Sequence, residues 1–154
     1  MPKTNKIDIF SKLRRLSRQD RLLLMQAIFW LAIAGLAIST LSFHRVGLLA
    51  ARSVRCAAPP DDVRLAKINR IRWAIGAAAA RVPWRALCFQ QGLAAQWMLR
   101  RRGIASVLYY GAAQDEQKGL LAHVWVRDGD VDVIGGEIAP RFAVLATFPP
   151  QHGF

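Results

Sequence analysis

Two side chains in the second half of the chain, Cys88 and His123, are of the types that nucleophilic acyl transfer needs. Cys88 falls in the opening turns of a helical pattern over 84–102. There the unpaired backbone N–H groups and the positive end of the helix dipole favour an anion, in this case a thiolate. A cysteine on a helix is by itself most often a small hydrophobe. His123 changes that weighing, because it interrupts the apolar run LLAHVWV on the strand face it shares with Leu121 and Trp125. An imidazole in that position supplies the base that a thiol nucleophile requires.

A third group must accept the other N–H of the ring, and Asp130, Asp132 and Glu137 all lie on the returning arm of the same hairpin. Register decides among them. A two-residue turn at Gly129-Asp130 sets His123 opposite Gly136, a three-residue turn over 128–130 sets it opposite Gly135, and either brings Glu137 beside it. A turn at Asp128-Gly129 sets it opposite Ile134, with Asp132 diagonal. Glu137 is favoured, Asp132 comes second, and Asp130 belongs to the turn. An oxyanion hole could combine the Cys88 backbone N–H with the side chain of Gln91 or Trp84, one turn on and one turn back. Packing roles would suit those two residues equally well. No metal-ligand spacing and no cofactor motif stands out.

These residues need a scaffold that joins a helix to a sheet. Pro83 precedes the 84–102 helix, Leu87, Gln91, Ala94, Ala95 and Met98 line one side, and Arg100-Arg101-Arg102 then Gly103 end it. After Gly103 the period becomes that of strands: 104–112, a polar loop over 113–119, 120–127, 131–134, and a fourth segment over 142–148. Ahead of this unit the spacing predicts a helix over 61–80 with Val63, Ile68, Ile71 and Ile75 on its apolar side. The layout is α+β.

The first 60 residues have a different character, and the boundary is drawn there, giving an N-terminal region 1–60 and a domain 61–154. Residues 1–21 carry Lys3, Lys6, Lys12, Arg14, Arg15, Arg18 and Arg21 beside an apolar stripe of Ile7, Ile9, Phe10, Leu13 and Leu16. Residues 22–43 form an apolar run long enough to cross a bilayer, or equally to serve as a buried helix. With 22 Lys and Arg against 10 Asp and Glu, the chain of 154 residues has a formal charge of +12 and suits acidic partners. Nucleic acid is not expected among them, because neither a basic aromatic strand nor a helix-turn-helix pattern is present. The two cysteines, Cys56 and Cys88, have unlike surroundings, and with no cleavable signal visible they are read as reduced thiols in the cytoplasm.

The stretches PWRALCFQQGLAAQWMLRRRGIASVLYYGA, AHVWVRDGDVDVIGGE and RFAVLATFP resemble the leader peptidases of lasso-peptide biosynthesis, the transglutaminase-like B proteins, in their stand-alone form. The resemblance spans about 64–150, and the combination of PWR-x-x-C, Q-W-x-L-R-R-R-G-I and A-H-x-W-V makes it specific. It implies a papain/transglutaminase-like core, with a nucleophile helix packed on a small antiparallel sheet. It also implies a Cys/His/acid triad that removes the leader from a ribosomally made precursor before a partner cyclase closes the macrolactam. Cys88 and His123 match the family pattern. Where the family's acid, usually Asp, would fall, this chain has Gly135-Gly136-Glu137. The implied partners are the precursor peptide, a separate leader-recognition protein and the cyclase. ATP dependence is implied by the resemblance alone, with no Gly-rich phosphate loop to match it. The alternative reading is a membrane-anchored basic interaction module without catalysis, its charged flanks held on the inner face of the membrane.

Overall fold

A computed structural model describes residues 16–52 and 61–151, so the 1–15 stripe and Cys56 lie outside the described residues. The first helix, α1 (Arg18–Thr40), is capped by Ser17, whose hydroxyl accepts the Asp20 N–H at 3.1 Å. It stops before residue 43. The Ser39 and Thr40 hydroxyls donate back to the Gly35 and Leu36 carbonyls, and Leu41 turns extended. Such side-chain bonds compete with the helical ladder. A short second helix, α2 (Phe43–Ala50), follows, and the apolar run did not signal this break.

Leu23, Leu24, Ala27, Leu31 and Ala34 of α1 are buried against α3 (Asp61–Ala79) and α4 (Cys88–Arg100). The outer side of α1 exposes Leu22, Met25, Phe29 and Leu36. In α3 the buried stripe is Ile68, Ile71, Ile75 and Ala78, while Val63 is exposed. Five residues from Ile68 is about 140° around a helix of 3.6 residues per turn, so Val63 falls off that stripe. One hydrophobic core contains side chains from both sides of the boundary at residues 60 and 61, running from Leu31 through Ile71 and Leu93 to Val126 and Val133.

The sheet has four antiparallel strands in the order β3-β2-β1-β4, with β1 Val107–Asp115, β2 Gly119–Asp128, β3 Val131–Ile134 and β4 Ala143–Phe148. β1 runs further than its sequence suggests, because the expected loop over 113–119 pairs as far as Asp115 with Gly119. The turn is held by Asp115 Oδ1 accepting the N–H groups of Gln117 and Lys118. A 3-10 helix, Gly136–Arg141, links β3 to β4.

Two contacts set the nucleophile helix on the sheet. A Cβ at Gly92 would lie 2.8 Å from Val124 Cγ1, so this position must stay bare for α4 to approach β2. At the same end Phe89 packs with Phe43 and Tyr110, centroids 6.1 and 6.4 Å away. The other end of α4 is tied down by Arg100, which donates to the Leu49 and Ala50 carbonyls at the end of α2.

Candidate active site

The helix carrying Cys88 begins later than its sequence pattern, which starts at residue 84. Leu87 is the N-cap with extended φ and ψ, and Cys88 is the first helical residue. The Leu87 N–H is taken by Gln90 Oε1 at 3.1 Å, while the Gln91 N–H opens the ladder on the Leu87 carbonyl at 3.0 Å. The amides of Cys88, Phe89 and Gln90 therefore precede the first intrahelical bond, with their N–H groups at the positive end of the helix. Cys88 is half-buried and is the first helical residue, so a thiolate there carries its charge at the positive end of the helix, beside amides that could receive an oxyanion.

Trp84 is thus not on the helix at all. It lies in the segment before it, is 37% exposed, and does not line the cleft beside Cys88. Gln91 does line the cleft. Its Nε2 donates to the Ala86 carbonyl at 2.8 Å, fixing the approach to the helix and leaving one carboxamide hydrogen uncommitted by that bond.

His123 reaches the same cleft from β2. The cleft, of about 380 Å³, is lined by Arg72, Gly76, Cys88, Gln91, His123, Val124, Ile134, Gly135 and Glu137. His123 Nε2 lies 2.8 Å from the Gly135 carbonyl oxygen. A carbonyl only accepts, so Nε2 carries the hydrogen and, in the neutral ring, Nδ1 is left as the base. The ring is wedged between Trp125 and Phe142, with centroids at 6.0 and 5.1 Å.

The hairpin register explains why a carbonyl occupies this place. The turn is the two-residue one, pairing Asp128 with Val131 and Arg127 with Asp132, but a shift follows and pairs Val126 with Ile134. β3 then ends, and Gly135 turns the chain at φ +75°. A Cβ there would sit 2.7 Å from the Val124 carbonyl and 3.2 Å from His123 Nε2, so both backbone conformation and space demand glycine. Glu137 follows at the start of the 3-10 helix, exposed at the cleft rim. The Asp132 carboxylate instead accepts from Arg127 Nε at 2.7 Å and borders the neighbouring aromatic hollow with Tyr109 and Trp125. Asp130 is exposed in the turn. No uniform ladder describes this hairpin, and none of the three registers considered from sequence includes the shift.

Sequence reasoning also passed over Arg72, which no motif or spacing singles out. Its guanidinium donates from Nε to the Val133 carbonyl at 2.9 Å and from Nη2 to the Asp132 carbonyl, tying α3 to the free edge of β3 just ahead of Gly135. A second tie joins the far end of the hairpin to α3, where Asp128 Oδ2 lies 3.3 Å from Arg64 Nε. Burial pushes the Asp128 carboxyl up from the ordinary range, with Arg64 opposing. No local pattern signals either contact, since both join elements distant in the chain.

The described approaches to helix N-termini, at Ser17, Ser42 and Leu87, contain no glycine loop to cradle a phosphate chain, so no step is assigned to a nucleotide.

No curated protein and no solved structure matches the chain. A family model does, covering residues 30–147 and so reaching from the middle of α1 to the last strand. That span takes in the cleft, the helix that presents Cys88 and the strand that presents His123: the chain belongs to the transglutaminase-like superfamily.

Proposed function

We propose that the protein is a cysteine peptidase that removes the leader from a ribosomally made lasso-peptide precursor, working in the cytoplasm with a separate recognition protein and ahead of a cyclase. The observation that carries this is the meeting of Cys88 and His123 in one cleft. Nδ1 of His123 takes the Cys88 proton, and the thiolate attacks the scissile carbonyl carbon. The N–H groups at the start of α4 receive the developing oxyanion, and the imidazolium returns its proton to the departing amine. Water, deprotonated by the same nitrogen, then opens the thioester and regenerates the thiol. Throughout, the Nε2–H stays on the Gly135 carbonyl, which takes the orienting part that a triad gives to a carboxylate. Glu137 adds negative charge at the rim.

The test is to incubate the protein with a precursor peptide and its recognition protein and follow the leader by mass spectrometry. Cys88→Ala should abolish release, and undiminished release would end the assignment.

A second reading rests on a separate observation. Arg18–Thr40 is long and apolar enough to cross a membrane, and Leu22, Met25, Phe29 and Leu36 project from it unburied. A basic, membrane-associated module would use that surface. Flotation with anionic vesicles tests it, and Cys88→Ala would leave that binding intact.

A further inference from the structure

The cleft does not end at the catalytic pair. Arg72 and Gly76, which line it from α3, also line a second cavity of about 510 Å³ together with Leu16, Leu24, Trp73 and Arg81. The two cavities meet over Gly76, where a Cβ would find nothing within 4 Å. The open space over Gly76 thus adjoins both the nucleophile's cleft and an apolar hollow.

We propose that this groove is the binding track for an extended peptide, taking a large apolar side chain in the hollow and an acidic residue beside it. The inference deepens the peptidase reading and rests on it. The apolar part follows from Trp73, 41% exposed, which lines the hollow together with Leu24 and Leu16. The acidic part follows from charge: among the described residues, Arg72 and Arg81 are the ionised groups lining the hollow, and no carboxylate lines it. Their recorded hydrogen bonds go to carbonyls, at Val133 and Asp132 for Arg72 and at Ala77 for Arg81, and a neutral carbonyl leaves the guanidinium charge uncancelled. The volume lies within the range of about 300–1,000 Å³ usual for ligand sites. Residues 1–15, which precede Leu16, bring Lys3, Lys6, Lys12, Arg14 and Arg15 and so have the wrong sign for this hollow.

The test reads occupancy without requiring turnover. Iodoacetamide alkylation of Cys88 is followed by mass spectrometry in the presence of blocked octapeptides made of Leu and Glu, of Leu and Lys, or of Ser and Glu. The Leu/Glu peptide should protect Cys88 at a concentration at least about tenfold below the other two. Gly76→Trp, which fills the pass, should erase that difference, with folding checked by circular dichroism. Equal protection by all three peptides, or a preference that survives Gly76→Trp, overturns the groove and leaves the peptidase reading standing. The same holds if no octapeptide protects while the precursor is still cleaved. Absence of both protection and precursor cleavage removes the two proposals together.

Discussion

The cleft has two walls, and they are held in different ways. On the helix wall Cys88 is set by its own neighbourhood: Leu87 caps, Gln90 reaches back, Gly92 seats the helix on Val124, and Phe89 anchors it among aromatics. On the hairpin wall His123 depends on a strand shift, a left-handed glycine and an arginine from another element. The first wall is a local structure with several redundant supports. The second is a chain of single contacts, so small displacements there should fall directly on the chemistry.

That contrast can be broken most severely at Gly135. Gly135→Ala forces a Cβ against the Val124 carbonyl and moves the oxygen that holds His123, and a displacement of an ångström at a reacting group costs about 100-fold. In the proposed leader-cleavage reaction, kcat/KM should fall by about that factor. A loss under threefold would mean the carbonyl does not orient the ring.

Arg72→Met comes next, since it leaves two strand carbonyls without their cationic donor. We expect turnover to drop about tenfold and stability in urea to fall by about 1–2 kcal/mol, the scale of hydrogen bonds to a charged group at a partly open site. Arg72→Lys should recover little, because one ammonium does not reproduce the guanidinium fork.

The carboxylates should matter less. Glu137→Gln at the rim should lower turnover by about threefold or less, and Asp132→Asn less still, because it removes only an exposed pair with Arg127 of about 0.2–1 kcal/mol. A loss of about 100-fold in either variant would transfer the orienting role from the carbonyl to that acid.

The smallest effect lies at the far end of the hairpin. Asp128 titrates above the ordinary carboxylate value because it is desolvated. Between the unfolded value, about 3.9, and the raised folded one, the native state holds a proton that the unfolded chain has released. This group's contribution is therefore fully present below the unfolded value and is lost as pH rises through the folded one. Asp128→Asn lacks that titration, so its melting temperature should gain on the parent as pH rises from the unfolded carboxylate value through the raised folded one. A constant gap across that range would dissociate the shift from stability.

The two walls were not equally legible. The helix at 88–100, the strand around His123 and the pairing of a thiol with an imidazole all follow from periodicity and residue type, which are local properties. The start of that helix was misjudged by four residues, since Pro83 suggests an earlier entry than the extended segment before Leu87 allows, and this is what drew Trp84 into the oxyanion hole. The group that faces His123 was legible only as a neighbour: one register sets Gly135 opposite the ring, but nothing in the sequence marks its carbonyl as the acceptor. A backbone carbonyl has no letter in a sequence, and the shift between Val126 and Arg127 depends on how β3 meets α3. The Gly135-Gly136 pair was the available hint. It marked a missing acid, and what it encodes is a bend.

Arg72 has one more consequence. A β-sheet can extend from molecule to molecule only where its outermost strand still has free amides and carbonyls. Here the β3 border has two carbonyls spoken for by the guanidinium, whereas β4, the opposite border, carries the exposed Val144 and Leu145. With one border blocked, strand-to-strand joining would stop at a pair, and endless stacking into fibres would have no second site from which to grow.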